Sequence, residues 1–197
     1  MKQSYNFKIE KINGLSPEEE NLRKKNLDLF YQTGFPSKKD EDWKFSDLNS
    51  ILSNNFNKID NNDFLPIETE FKKIDEFEHN FISLFNGKLI SKDFSHEEKN
   101  KIFIDNFNYK NDLALDSKNS LYCLNNALAT GGFSLEISKN YKFKRPLVIY
   151  NNFSNLLKEK IVNYKNLIIL NENSELNLIN FINNSSKENF MVNILEN

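Results

Sequence analysis

Cysteine, glycine, proline and positive charge in excess are all missing or scarce in this sequence. Its 197 residues include one Cys, five Gly and four Pro. A single Cys excludes an internal disulfide, and with only two His, far apart, it leaves no dense Cys/His zinc pattern. There is no phosphate-binding Gly-rich loop, no nucleophile elbow and no paired-histidine motif. A formal net charge of −2 argues against a nucleic-acid binder, because neutralising phosphates takes a surplus of Lys and Arg on one surface. Met1 to Lys11 alternates polar and apolar residues without the apolar central run of a signal peptide, and no later segment reaches the apolar length that spans a bilayer. These absences predict a soluble cytoplasmic protein that binds neither nucleic acid nor membrane.

What is present is a chain long enough for a substantial core, with 39% hydrophobic residues, 18 of them Phe. Asn, Lys and Ile are abundant, a bias that lowers the information in any single Asn. Ser16-Pro17-Glu18-Glu19 is a helix start: Ser16 can cap, Pro17 is preset at the first helical position, and Glu19 stands where a capping box needs it. Leu22, Leu29 and Phe30 then recur at helical spacing, predicting a helix from about Pro17 to Thr33. Gly34-Phe35-Pro36 stops it, since Gly34 tolerates a left-handed conformation and Pro36 cannot continue a helix. Polar residues 37–42 lead to Trp43, the only Trp, and to Phe45. Ser46-Asp47 caps a short helix carrying Leu48, Ile51 and Leu52, and Asn54 to Asp63 reads as a loop.

From Phe64 the period changes. Phe81 to Phe85 and Lys88 to Ser91 flank Asn86-Gly87, the strongest short-range signal for a β-hairpin. Ser95 to Glu98 predicts a short helix cap, 106–112 a polar linker, and Lys118 to Thr130 a helix with Leu121, Leu124 and Leu128 on one stripe and Gly131-Gly132 as its stop. Five short apolar runs come next: Phe133–Ile137, Leu147–Tyr150, Leu167–Leu170, Leu176–Ile182 and Phe190–Leu195. Phe133, Leu135 and Ile137 alternate with polar residues as in a half-buried strand, and the later runs are apolar on both faces. Closely spaced strands with short polar turns suit either a sandwich or a β-solenoid. The last run would leave a bare strand edge, which predicts that these residues are an incomplete copy of a longer protein.

No residue stands out as catalytic. Cys123 reads as a buried, inert thiol, and His79 and His96 as isolated surface residues. Asp40-Glu41-Asp42, balanced by Lys38, Lys39 and Lys44, reads as a solvated turn rather than a metal or acid/base cluster. Trp43 has two readings, a core anchor packing the helical domain onto the rest of the chain or a docking residue at an interface. The expected catalytic, cofactor-binding and metal sites are none.

Several of these stretches, in order, carry a family likeness. Gly34-Phe35-Pro36 with Lys38-Lys39-Asp40-Glu41-Asp42-Trp43-Lys44-Phe45 resembles the N-terminal signature of the SufD family of iron–sulfur cluster assembly scaffolds. Leu84-Phe85-Asn86-Gly87, Leu124-Asn125-Asn126-Ala127-Leu128-Ala129 with Gly131, Arg145-Pro146-Leu147-Val148-Ile149 and Asn166-Leu167-Ile168-Ile169-Leu170 resemble further parts of that pattern. Two positions depart from it: Tyr164-Lys165-Asn166 stands where an Arg usually precedes the Leu-Ile strand, and Asn180 where a Glu commonly comes after Leu178-Ile179.

The resemblance implies an α+β fold: a helical N-terminal domain with a β-hairpin at 81–91, over residues 1–112, succeeded at 113–197 by the first coils of a right-handed parallel β-helix, truncated. It implies a non-catalytic subunit of the SufBCD complex. Such a subunit forms a heterodimer with a SufB-like paralogue and meets a SufC-like ABC ATPase through a C-terminal region beyond residue 197, with no cofactor held in this portion. Two other classes remain open on the residues alone: a β-solenoid carbohydrate-binding or carbohydrate-active protein, and a structural protein-interaction module.

Overall fold

The Ser16 hydroxyl accepts the Glu19 amide hydrogen (3.2 Å), Pro17 opens the helix, and the Gly34 N–H returns to Phe30 O, so α1 spans Pro17–Thr33. The computed structural model describes residues 4–61, 71–109, 119–184 and 186–197. Glu19 does not complete a capping box. Its carboxylate turns along the helix to Arg23 instead, 3.3 Å away. Helix α2 (Leu48–Asn55) starts as read, with Asp47 Oδ1 accepting from Ser50 N (3.0 Å).

The segment expected as a loop after α2 holds a strand, β2 (Lys58–Asn61), lying parallel to β1 (Ser4–Asn6). Its cause is tertiary: Ile59 is fully buried in the apolar cluster of Phe7, Leu27, Phe30 and Leu124. Residues 62 and 63 of that expected loop lie outside the described residues. The hairpin forms as predicted from β3 (Asn80–Phe85) and β4 (Lys88–Asp93), with Asn86 and Gly87 at φ 49° and 80° and an irregularity at Ser83/Leu84. In place of a helix cap at 95–98 there is a turn, with a 3₁₀ turn at Lys99–Lys101. Then β5 (Ile102–Asn106) runs antiparallel to a later strand. Of the linker expected at 106–112, Asn106 belongs to β5, and 110–112 lie outside the described residues.

Helix α3 (Ser120–Leu128) is capped by Asn119 Oδ1, which accepts from the Leu121 and Tyr122 amides. It ends at Ala129 without help from glycine. Gly131 and Gly132 belong to β6 (Gly131–Ile137), and their need for glycine lies in crowding. A Cβ on Gly131 would sit 2.3 Å from Gly87 O, and one on Gly132, at φ 112°, would sit 1.6 Å from Lys165 O. The expected helix stop is therefore a close approach of three backbones.

The remaining strands are β7 (Leu147–Phe153), β8 (Lys160–Leu170), β9 (Leu178–Asn184) and β10 (Met191–Glu196). Each lies parallel on the strand one coil earlier: Gly131 faces Tyr164, Leu147 faces Leu178, and Ile161 faces Met191. Side chains 30 to 33 residues apart meet at each step. Beneath this stack β3 pairs parallel with β7, and β4 meets β6 through Lys88 and Gly132. The architecture is an α+β one in which helices precede a curled, mostly parallel sheet wound as a solenoid.

Both faces of β7 are buried, as its unbroken apolar run implied. Leu147 and Ile149 point into the coil with Ile82, Phe133 and Val162, while Val148 and Tyr150 point outward under Phe71 and Ile74. No helix among the described residues is long and apolar enough to cross a membrane.

Candidate functional site

Helix α3 is the joint between the helical layer and the coils, and its buried amides do the joining. Asn125, fully buried, donates from Nδ2 to Tyr164 O on β8 (3.1 Å) and to Asn193 O on β10 (2.8 Å). Asn193 Nδ2 donates back to Leu121 O (2.9 Å) and to Asn163 Oδ1 (2.9 Å), so one helix is bonded to two successive coils. From the other side Arg23, 1% exposed, donates from Nη1 to Ala127 O (3.2 Å) and Ala129 O (2.9 Å), carbonyls at the C-terminal end of α3. Its guanidinium lies 5.0 Å over the Tyr109 ring. Burial pushes the Arg23 pKa down, and Glu19 opposes the shift. Of these groups only Asn125 stood in a stretch that the sequence marked, the family-like Leu124–Ala129 run, and it was given no role there. Arg23 falls on the apolar stripe of α1 four residues before Leu27, and that placement was the available signal.

Trp43 is not the anchor of the Gly34–Leu48 block. It is half-buried at the end of a 3₁₀ turn, Glu41–Trp43, and belongs to none of the apolar clusters. The anchoring ring is Phe35, 3% exposed and edge-on to Phe30 (4.9 Å) and Tyr5 (5.0 Å). Phe45 is 90% exposed. Asp40, Glu41 and Asp42 are solvated as expected, and Asp40 Oδ2 accepts the Ser37 amide (2.7 Å) to close the turn. The block borders an open cleft of about 530 Å³ that also reaches Asn119 and Ser120 at the start of α3.

The two histidines, read as isolated, line one cleft of about 470 Å³ with Lys73, Asp75, Glu76 and Asp93. His79 Nδ1 meets Phe77 O (2.9 Å), a pure acceptor, so Nδ1 carries hydrogen. In the neutral ring Nε2 then accepts from the Tyr150 hydroxyl (2.8 Å), which itself accepts the Ile74 amide (2.9 Å). The arrangement fastens segment 71–79 over the outer face of β3 and β7. Cys123 is buried, and burial pushes its thiol up, away from the reactive thiolate. Among the described residues no three His, Cys, Asp or Glu converge to hold a metal ion.

Glu97 is the most fully bonded carboxylate. It accepts from Asn80 Nδ2 (2.8 Å), the Tyr141 hydroxyl (2.7 Å) and the Lys144 and Arg145 amides (3.0 and 3.1 Å). Burial disfavours its charge, but the four donors outweigh burial and hold its carboxyl below the usual range. The turn leading into β7 is thereby fixed to the hairpin layer.

Inside the last coil runs a polar seam. Tyr164 donates to Asn151 Oδ1 (2.7 Å), Asn151 to Asn180 Oδ1 (3.0 Å), and Asn180 and Asn166 both to the Glu196 carboxylate (3.2 and 3.1 Å). Burial, with Glu196 nearby, pushes the Tyr164 hydroxyl far up, so it remains a donor. Such amide ladders register one coil on the next. Stacked parallel coils bonded through buried amides to a helical layer define a solenoid fold. The chain belongs to the SufB/SufD superfamily: residues 3–149 match the family described as the SufBD protein N-terminal region. No curated protein matches the chain.

Proposed function

We propose that this chain acts as a SufD-type scaffold in iron–sulfur cluster assembly, supplying the helical layer and first coils of a non-catalytic subunit. The observation that carries this reading is the family match over residues 3–149, which runs from the helical layer into the stacked strands. The geometry supports it: buried Asn, Arg and Glu groups hold layers together rather than converge on a substrate. In this reading the chain works in the cytoplasm and pairs with a SufB-like paralogue. A SufC-like ATPase is contacted by parts of the subunit outside these residues, and no resident cofactor is held here.

Co-expression tests the reading. A tagged chain co-expressed with a SufB-like and a SufC-like protein is expected to recover the SufB-like partner in near-stoichiometric amount through gel filtration. Failure to recover it, or retention of the chain on a polysaccharide column, overturns the assignment. Stoichiometric iron retained after desalting would overturn the absence of a resident metal.

A further inference from the structure

The cleft beside Trp43 is walled by the end of α1, the Glu41–Trp43 turn, α2 and the start of α3. All of these precede Ala129, so no coil of the solenoid is needed to complete it. Its apolar side is fixed: Phe35 and Pro36 are buried, and Asn49 Nδ2 on α2 donates to Phe35 O (2.8 Å). At about 530 Å³ the cleft has the size of a small-ligand site.

Its charge is one-sided. Asp40, Glu41 and Asp42 line it against Lys39 alone, while Lys38 and Lys44, which balance the loop in sequence, stand outside it, and Lys44 lies over the Phe45 ring (5.3 Å). Asp40 is spent closing the turn through the Ser37 amide (2.7 Å). The Glu41 and Asp42 carboxylates have neither a hydrogen bond nor an ion pair among the described residues. From α3 the cleft is lined by Ser120, which is 6% exposed and whose hydroxyl has no partner among the described residues. A polar group so deeply buried is ordinarily bonded. The Trp43 indole N–H has no acceptor among them either, and its ring packs in none of the apolar clusters. The positive end of α3 opens on the same cleft and opposes a cation there. Two of its amides are already met by Asn119 Oδ1, and the about half a charge it carries is less than that of the two unpaired carboxylates.

We propose that this cleft binds the guanidinium of an arginine carried by a partner polypeptide. The planar group stacks on the Trp43 ring, donates to the Glu41 and Asp42 carboxylates through its fork of N–H groups, and donates to the Ser120 hydroxyl. The Trp43 indole N–H is left for a backbone carbonyl of the same segment. Lysine is the poorer ligand, because an ammonium has no plane to stack and no fork to span two carboxylates. Binding of this kind needs only these side chains and is independent of any role in cluster assembly.

The single Trp gives one indole N–H signal in the NMR spectrum of the isotope-labelled chain, a reporter inside the cleft. Titration with the peptide acetyl-Gly-Arg-Gly-amide should move that signal and the Ser120 amide saturably. The same peptide with citrulline, which keeps the shape and lacks the charge, should bind at least about tenfold more weakly, the worth of charge-assisted hydrogen bonds. The Glu41→Gln/Asp42→Asn chain should lose a similar factor for the arginine peptide; both residues are exposed, so the rest of its amide spectrum should stay in place. Ser120→Ala should weaken binding about fivefold, the worth of one hydrogen bond. No saturable shift, equal binding of the citrulline peptide or by the Glu41→Gln/Asp42→Asn chain, the same shifts on adding inorganic phosphate, or an indole signal that moves with chain concentration alone, marking a second copy in the cleft, would each overturn the proposal.

Discussion

At the scale of single residues, the polar groups that matter are the ones with several buried partners. Glu97→Gln removes the charge that four donors are arranged to meet and should cost about 2 kcal/mol in urea unfolding at pH 7. Because the folded carboxyl titrates below its ordinary value of 4.5, the unfolded chain binds the proton more readily. Its contribution is therefore complete above that value and lost as pH falls through the lower folded one. The difference in Tm between wild type and Glu97→Gln should shrink over that acidic window. The same scale separates two aromatics that look alike in sequence. Phe30→Ala, at a fully buried ring, should cost about 3–5 kcal/mol, whereas Trp43→Ala, half-buried outside the clusters, should cost under about 1 kcal/mol. Fluorescence of this single Trp should accordingly be quenched readily by acrylamide.

At the scale of elements, caps and turns were legible because they depend on neighbours in sequence. Ser16 and Pro17 start α1, Asp47 starts α2, and Asn86-Gly87 turns the hairpin, all as local chemistry directs. Strands β2 and β5 were not legible, since an Asn-rich or charged segment becomes a strand only when another edge offers it partners. The junction of α3 with β6 shows the same limit. Gly131-Gly132 read as a helix stop, while the structure requires them where β6 touches Gly87 and Lys165. Gly132→Ala should therefore cost at least about 3 kcal/mol or prevent folding, by denaturant titration, and more than Gly34→Ala, whose added Cβ meets nothing within 4 Å and is strained only by its φ of 76°. Arg23→Met should cost about 3–5 kcal/mol by stranding Glu19 and the α3 carbonyls. Adding Glu19→Met should return part of that loss in a double-mutant cycle.

At the scale of the whole molecule, protection should track the stack. Hydrogen exchange is expected to be slowest in β7 and the central part of β8, buried on both faces, and fastest in β9, exposed along its length. Equal protection of β9 and β7 in the isolated chain would show that the upper coil is covered. The sequence by itself determined the succession of helices, hairpin and short strands, and the family likeness, because capping, positive-φ turns and alternation act within a few residues. It did not reveal which Asn were structural, since residue bias masked Asn125 and Asn193, nor that His79 and His96 share a cleft. Those were decided by the tertiary structure, for a physical reason: a parallel coil sets beside each residue a partner some thirty positions away, and only there do its amides, charges and glycines meet what they must satisfy or avoid.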